Sequence, residues 1–317
     1  RKQGSPEPLT INDLVHLGSC TKAMTSTMLA TLVADGTVPN GWQTTIAQVF
    51  PEIVSTIHED YASVTLWQLV THVSGIANAP IWGDQNLDIV NRRYTILTEN
   101  LANAPAGPVG EFIYSNLAYM VAGAMAEKLT SKSWETLMQE RIFTPLGMTT
   151  AGFGAPGTVN EVDQPWGHKQ VDGSTDWVPF QFDNAAACGP AGTVHCSIQD
   201  WVKFIELQFP NKTPAILDRE RLNELITPTT GSYAAGWNVV ERTWAGGTAL
   251  NHTGSNTMWH VHLWIAPGLN RAFIAGANST NDDTFWMLDG IIGSMINHDA
   301  PDAGGEASSF TLVAESG

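Results

Sequence analysis

A serine and a lysine stand three residues apart, at Ser19 and Lys22, at the start of a run with helical periodicity. Apolar residues in that run recur at Met24, Met28, Leu29, Leu32 and Val33. This spacing predicts a helix, and Asp35-Gly36 supplies a C-terminal stop. The two polar side chains then lie on one face of its first turn. The chain must therefore fold around a helix whose N-terminus carries a hydroxyl group beside an amine.

This pair of side chains has the chemistry of a nucleophile and its base. A serine at a helix N-terminus has backbone N–H groups and the positive end of the helix dipole beside it, which favours an oxyanion there. Lys22 lowers the cost of deprotonating Ser19, or takes the proton itself when burial depresses its pKa. So short a pattern also fits a capping serine and a solvated lysine, so its function depends on the rest of the chain.

Composition limits the partners of the protein. Its 317 residues are 43% apolar, which suffices for one large domain or two packed lobes. Acidic residues outnumber basic ones by 31 to 15, giving a net charge of −16, and no Lys/Arg-rich run occurs. Nucleic acid and anionic membrane surfaces are therefore poor partners. No apolar run approaches the length needed to span a bilayer, and the N-terminus lacks the apolar segment of a signal peptide.

Cysteine and histidine positions leave two questions open. Cys20 lies one residue round the helix from the serine, and we expect it to be a small buried residue rather than the nucleophile. Cys188 and Cys196 can close a short loop if their Cβ atoms face each other. His260 and His262 alternate along a strand, a spacing that recurs in zinc sites. Outward polar positions on a half-exposed strand explain the same spacing without a metal, and we predict no metal or cofactor.

The order of helical and strand patterns indicates an α+β fold. Helical periodicity dominates the middle of the chain, whereas strands concentrate near its end, with a hairpin turning at Pro267-Gly268 and a closing helix over 282–296. We predict an antiparallel sheet flanked by helices, with an inserted, mostly helical lobe. Residues 1–45 and 190–317 form the discontinuous sheet domain, residues 46–189 form the lobe, and the active site lies between them.

Two further segments carry chemistry. Tyr114 precedes Ser115, which we predict caps the N-terminus of an amphipathic helix, so the tyrosine ring is free to reach elsewhere. Residues 251–256 stand before a strand and combine His252 with a glycine and hydroxyl residues. A strand edge of this kind can present backbone groups to an extended substrate, with a positive or polar histidine near the reacting serine. A polar strand entry with a turn glycine explains the same residues without a function.

Together, Ser19-x-x-Lys22, Tyr114-Ser115-Asn116 and His252-Thr253-Gly254 have the order and rough spacing of the penicillin-recognising serine hydrolases. The chain resembles this family, which contains class C β-lactamases, serine DD-peptidases, D-amino-acid-specific peptidases and related carboxylesterases. Further similar segments are Thr65 to Gly75, Glu140 to Met148, Pro190-Ala191-Gly192 and Gly236-Trp237. The resemblance covers nearly all of the chain from Leu9 to Asn297, and it implies a β-lactamase/transpeptidase-like fold.

The resemblance also implies catalytic roles. Ser19 would be acylated, Lys22 would assist its deprotonation, and Tyr114 would act as general base and then donate a proton to the leaving group. His252 would occupy the basic position of the third motif, where it tunes Tyr114 or contacts a substrate carboxylate. A tyrosine whose ordinary pKa is about 10 can act as a base only if neighbouring cations depress that pKa, as Lys22 and His252 can.

Binding roles follow from the same resemblance. Asn116 would bind the acyl side chain of the substrate or help to order the lysine, and Thr253 and Gly254 would line the substrate site. The oxyanion would lie between the backbone N–H groups of Ser19 and Ser255. Loss of one such donor typically costs about 2.7–4 kcal/mol, so the backbone position of Ser255 matters as much as the side chains.

Two departures from the family pattern limit the interpretation. The third motif begins with His252, where β-lactamases of this family usually carry lysine, which makes antibiotic hydrolysis a weak expectation. The sequence also begins 18 residues before Ser19, whereas the family places a helix and two strands upstream. Either the chain is a fragment or processed form, or another segment such as Phe310 to Val313 fills those strand places. The resemblance favours a secreted or periplasmic protein, although the compartment stays open.

The sequence therefore predicts a serine hydrolase that forms a covalent acyl-enzyme with a small-molecule or peptide-like substrate. A DD-peptidase-like or D-amino-acid-type peptidase or amidase comes first, a carboxylesterase or transesterase second, and a weak β-lactamase third. A non-catalytic binding protein on the same fold is the alternative of another class. Four aromatic residues are candidates for cleft walls, although ordinary packing explains each of them: Trp82, Trp166, Trp177 and Trp259.

Overall fold

A computed structural model describes residues 1–213 and 215–299 of the chain. Its helices fall mainly in the first two thirds of the sequence, as the periodicity predicts. They are α1 Thr21–Ala34, α2 Ile46–Val49, α3 Glu59–Ala62, α4 Leu66–Val70, α5 Ile89–Leu101, α6 Asn116–Thr130, α7 Trp134–Met138, α8 Thr144–Leu146, α9 Gly189–Gly192, α10 Ile198–Ile205, α11 Arg219–Leu225 and α12 Thr284–Asp299.

The strands form three antiparallel groups. They are β1 Leu14–His16, β2 Gly152–Phe153, β3 Gly167–Gln170, β4 Trp177–Phe180, β5 Val194–Ser197, β6 Asn238–Arg242, β7 Gly247–Ser255, β8 His260–Ala266 and β9 Arg271–Ala277. The largest sheet has the order β6-β7-β8-β9, a smaller one has the order β1-β5-β2, and β3 pairs with β4. Consecutive strands β6 to β9 pair as a meander, because short turns such as the one after Ala266 join antiparallel neighbours.

Helix α1 lies at the centre of the core. Every residue from Thr21 to Leu32 is buried, so this helix packs against its neighbours on all sides. The predicted stop is confirmed, because Asp35 caps the C-terminus. Helix α6 is similarly enclosed, and its predicted N-cap is also confirmed, since the Ser115 side chain accepts a hydrogen bond from the Ala118 N–H.

The closing helix changes the environment of the predicted outward face of β8. His262 is completely buried and stacks on Phe285 of α12, with ring centroids 5.4 Å apart. The prediction that His260 and His262 are outward positions on a half-exposed strand is therefore wrong for His262, because α12 packs against that face of the sheet. In the part of the chain that the structure describes, no group of three or more His, Cys, Asp or Glu residues could hold a metal ion.

The α+β fold with antiparallel sheets and flanking helices is confirmed. The segment 147–189 adds strands β2, β3 and β4, and the division into a sheet domain and a helical lobe stays a prediction. Cys188 and Cys196 are buried free thiols, so the loop between them is not closed by a disulfide. Phe310 to Val313 lies outside the described residues. No helix among those residues is long and apolar enough to cross a membrane.

Candidate active site

The turn that carries Ser19 is pressed against the end of β7. Gly18 has a φ of +47°, and a Cβ atom added there would lie 2.3 Å from the Ser255 backbone nitrogen. A Cβ atom on Gly254 would lie 2.0 Å from the Leu17 carbonyl oxygen and 2.9 Å from the Ser19 nitrogen. Side chains cannot fit at either position, so glycine is required at both. The approach brings the backbone at Ser19 and Ser255 together, as the predicted pair of oxyanion donors requires.

Lys22 joins the predicted nucleophile to two other parts of the chain. Its Nζ atom donates to Ser19 Oγ at 3.0 Å, to Asn116 Oδ1 at 2.7 Å and to the Ala191 carbonyl at 2.9 Å. The lysine is completely buried and Ser19 is 6% exposed. These acceptors suit the three donors of an ammonium group. The structure thus brings together the first motif, the second motif and the Pro190-Ala191-Gly192 segment.

A buried ion network fixes the backbone that leads to Ala191. The Arg93 guanidinium contacts Glu127 and Glu135, each at 2.5 Å, and it donates to the Ala187 carbonyl at 3.0 Å. Because removing one partner would leave a buried charge uncompensated, the network holds its members in place. It therefore ties helices α5 and α6 to the chain just before α9, and so to the carbonyl that accepts from Lys22.

Tyr114 lies in an aromatic cluster beside the lysine. The Lys22 Nζ atom is 4.7 Å from the centroid of the Tyr114 ring, and the ring of His72 is 4.4 Å from the same centroid. Tyr233 meets Tyr114 nearly edge-on at 6.3 Å. The predicted base is thus within the range of a cation–π contact with Lys22.

His72 belongs to the segment Thr65 to Gly75 and holds the second motif in place through the Ser115 backbone. Its backbone is left-handed, with a φ of 59°, and its side chain is completely buried. The Nδ1 atom accepts from the Ser115 N–H at 3.1 Å, so the other ring nitrogen carries the proton. Burial and the nearby Lys22 charge hold the pKa of His72 well below its ordinary value. A neutral histidine therefore orders the backbone next to Tyr114.

His252 is present in the site, although in a different state from the basic residue of the prediction. It is 4% exposed, and burial together with the Lys22 charge lowers its pKa to about 3. Its Nδ1 atom lies 2.5 Å from the Thr253 carbonyl, and its Nε2 atom lies 3.0 Å from Tyr233 Oη. The expectation that His252 depresses the pKa of Tyr114 as a cation is wrong, because a neutral imidazole carries no charge to do so.

Tyr233 is a site residue that the sequence did not single out. It stands shortly before Gly236, where an added Cβ atom would lie 2.5 Å from the Ala23 backbone nitrogen. This contact anchors the segment against the start of α1 and brings Tyr233 to His252. The Gly236-Trp237 pair was the signal that pointed to this segment, but one sequence cannot show which neighbour reaches the site.

Two pockets adjoin the site. The apolar pocket, of about 550 Å³, includes Asn116, Trp82, Phe182, Asp183 and Thr257. The polar pocket, of about 680 Å³, includes Ser255, Thr257 and residues of the β3–β4 turn and of the segment before α12. Both therefore meet at Thr257, beside the end of β7.

The four tryptophans predicted as cleft walls lie in different environments. Trp82 is 51% exposed and lies 5.9 Å from Phe182 across the apolar pocket, which agrees with the prediction. Trp259 is 2% exposed and belongs to the core. Trp166 lies under the Lys2 ammonium, Trp177 is half-buried in β4, and neither is among the residues that line the two pockets. Cleft wall is thus the wrong role for Trp259, because the sheet encloses it.

The family model named Beta-lactamase matches residues 1–289. The chain belongs to the Beta-lactamase family. Its fold is similar to that of a D-amino acid amidase from Ochrobactrum anthropi, with a TM-score of 0.70, 22% identity and coverage of 94% of this chain and 86% of that one. It is also similar to a D-alanine carboxypeptidase AmpC from Burkholderia cenocepacia, with a TM-score of 0.72, 20% identity and coverage of 92% and 87%.

Two proteins of similar sequence are longer than this chain, so the alignment covers a smaller share of each of them than of this chain. The chain is 24% identical to an unguisins hydrolase of Aspergillus campestris over 87% of this chain and 54% of that protein. It is 25% identical to penicillin-binding protein 4 of Amycolatopsis lactamdurans over 84% of this chain and 72% of that protein. The chain thus spans about half the length of the unguisins hydrolase, and membership of the Beta-lactamase family is what carries over directly.

Proposed function

We propose that this protein is a serine hydrolase that acts through a covalent acyl-enzyme on Ser19, with D-amino-acid-type amides or peptides as its first substrate class. The observation that carries the proposal is the buried Lys22 ammonium, 3.0 Å from Ser19 Oγ and held by Asn116 and Ala191. An ammonium group fixed beside a hydroxyl in a water-excluded site stabilises the negative charge of the alkoxide as it forms. The names of the amidase and carboxypeptidase of similar fold support the substrate class.

The reaction proceeds in two steps. Ser19 Oγ attacks the carbonyl carbon, its proton passes through Tyr114 to the leaving nitrogen, and the C–N bond breaks to leave an ester on Ser19. Water then attacks the carbonyl carbon of that ester and passes a proton through Tyr114 to Ser19 Oγ. The bond between the acyl carbon and Ser19 Oγ breaks, and the acid product departs. The backbone N–H groups of Ser19 and Ser255 bind the oxyanion in both steps, while Lys22 stabilises the serine oxygen.

Intact-mass spectrometry tests the acyl-enzyme directly. Exposure to p-nitrophenyl acetate or to a fluorescent penicillin is expected to give an adduct on Ser19 that is absent from Ser19→Ala. The exposed Ser55 provides a matched control, since Ser55→Ala should label like the wild type. A protein that is folded by circular dichroism but takes no adduct from either reagent would instead be a binding protein on this fold.

A carboxylesterase or transesterase is the second candidate. The same acyl-enzyme forms from esters, and the apolar wall of Trp82 and Phe182 accepts apolar acyl groups. Rapid turnover of p-nitrophenyl acetate, with D-phenylalanine amide left intact, would move the assignment to this class. β-Lactamase activity is expected to be weak, because the neutral His252 stands where a cation would contact a substrate carboxylate.

A further inference from the structure

The two pockets that meet at Thr257 differ in their lining residues, but the net charge of those residues is negative in both. In the polar pocket, one ammonium group faces three carboxylates. These charged residues are Lys169, Asp172, Asp282 and Asp283. In the apolar pocket, the lining residue that carries a charge is Asp183. A substrate held at the end of β7 therefore meets at least one carboxylate in whichever pocket it enters.

Asp183 is well placed to influence a substrate. Its side chain is 9% exposed, and its Oδ1 atom accepts from Asn256 Nδ2 at 3.0 Å and lies 2.7 Å from His16 Nε2. The other oxygen, Oδ2, is buried and has no hydrogen-bond partner among the described residues. An unpartnered buried carboxylate oxygen favours a nearby donor or cation and opposes another carboxylate.

The two basic residues next to the nucleophile, Lys22 and His252, do not offset the negative charge of the pockets. Lys22 is buried and donates to Ser19, Asn116 and Ala191. His252 is buried and neutral. Neither residue is among those that line the two pockets. In the apolar pocket, a substrate carboxylate would thus meet no guanidinium or ammonium group among the lining residues. In the polar pocket the one ammonium group, that of Lys169, is outnumbered by three carboxylates, so a further carboxylate is unfavourable there as well.

We propose that the cleft selects amides and esters whose groups on both sides of the scissile bond are neutral or cationic, and that it discriminates against a carboxylate on either side. This inference rests on the proposed function of Ser19. It narrows that function from DD-peptidase chemistry, in which the leaving group ends in a carboxylate, to amide and internal-peptide substrates. It holds for either orientation of the substrate, because both pockets carry the same sign of charge.

A matched pair of substrates tests the inference. D-Phe-D-Ala and its C-terminal carboxamide share every atom except those of the terminal group. We expect kcat/KM to be at least about tenfold higher for the carboxamide. Because the three carboxylates of the polar pocket are exposed, we expect high salt to reduce this ratio. Free D-phenylalanine amide serves as the smallest neutral substrate.

Variants locate the source of the discrimination. The double change Asp282→Asn with Asp283→Asn should reduce the ratio of the two kcat/KM values several-fold and weaken its salt dependence. Asp60→Asn, a change at an exposed carboxylate that lies outside both pockets, should leave the ratio unchanged. Folding of each variant is checked by its thermal transition, so that a loss of structure is not counted as a change of specificity.

The outcomes separate this inference from the proposed function. If p-nitrophenyl acetate labels Ser19 but the free acid is cleaved as fast as the carboxamide, the selectivity is refuted and the acyl-enzyme stands. The selectivity is also refuted if the ratio of the two kcat/KM values changes neither with salt nor with the Asp282/Asp283 substitutions. The pocket charges would then not be the cause of the discrimination. If Ser19 takes no label and neither dipeptide is cleaved, both proposals fail.

Discussion

The floor of the cleft, formed by residues 17–22 and 252–255, differs sharply from the two pockets at its ends. On the floor, backbones approach so closely that Gly18 and Gly254 cannot carry a side chain. In the pockets, exposed side chains such as those of Trp82 and Asp282 form the surface. We infer that the position of the reacting groups depends on the backbone, whereas the choice of substrate depends on exposed side chains. Changes on the floor should therefore be far more damaging.

The largest effect is expected from Gly254→Ala. Its methyl group would lie 2.0 Å from the Leu17 carbonyl, so β7 must move away from Ser19 and one oxyanion donor is displaced. Loss of such a donor costs about 2.7–4 kcal/mol, or 10²- to 10³-fold in kcat. The measurement is kcat for p-nitrophenyl acetate. Gly290→Ala is the matched control, because nothing lies within 4 Å of the added atom, and unchanged activity in both variants would refute the close packing.

The next effect concerns pH. Burial lowers the pKa of His252 and of His262 to about 3, whereas both histidines have a pKa near 6.5 when unfolded. As the pH falls below about 6.5, the unfolded chain binds protons that the folded chain does not, so the free energy of unfolding decreases. These two groups alone contribute a slope of about 3 kcal/mol per pH unit at most. Burial also lowers the pKa of His72 and of His260, which adds to the slope. Urea unfolding from about pH 7 to about pH 5 measures it.

A variant identifies the groups behind that slope. His262→Gln removes one of the titrating groups, so the slope of its free energy of unfolding against pH should be smaller by up to about 1.4 kcal/mol per pH unit over the same range. Equal slopes in the variant and the wild type would show that other groups are responsible.

A smaller effect is expected from His72→Ala. The change removes the acceptor of the Ser115 N–H and the ring 4.4 Å from Tyr114. An unsatisfied buried donor costs about 1–3 kcal/mol, and we expect kcat to fall about tenfold or more, with a smaller change in KM. His72→Asn should recover part of kcat, since asparagine tolerates the left-handed backbone and offers an acceptor. Equal losses in both variants would mean that His72 only fills space, and His58→Ala is the surface control.

The smallest effect belongs to the pocket wall. Trp82→Ala should raise KM for substrates with aromatic acyl groups about three- to tenfold and leave kcat nearly constant, because the indole offers apolar contact area without touching the reacting atoms. Trp286→Ala, a change at a similarly exposed tryptophan on α12, should alter neither constant. A fall in kcat for Trp82→Ala with KM unchanged would contradict the inference that pocket side chains affect substrate binding without positioning the reacting groups.

Local patterns predicted the parts of the site that depend on neighbours in sequence. The spacing of Ser19 and Lys22, the cap at Ser115 and the hairpin after Ala266 follow from periodicity and turn chemistry, and they are confirmed as structure. The roles of the site residues stay a proposal.

Long-range packing decided the rest. The neutral state of His252, the burial of His262 and the reach of Tyr233 to the site all depend on segments far away in the chain. The left-handed backbone of His72 and its bond to Ser115 likewise need the folded arrangement. Composition and spacing carry no signal for such contacts, since burial sets the charge state and distant helices set the burial.

The close approach at Gly18 and Gly254 has a consequence for how this protein could diversify. The backbone contacts that position the reacting groups do not involve the side chains of the pockets. Mutations at the pockets can therefore accumulate while Ser19 and Lys22 keep their geometry. A library randomised at positions such as Trp82 and Asp282 should retain a high proportion of acylatable members. New substrate ranges would then arise by small steps through functional intermediates.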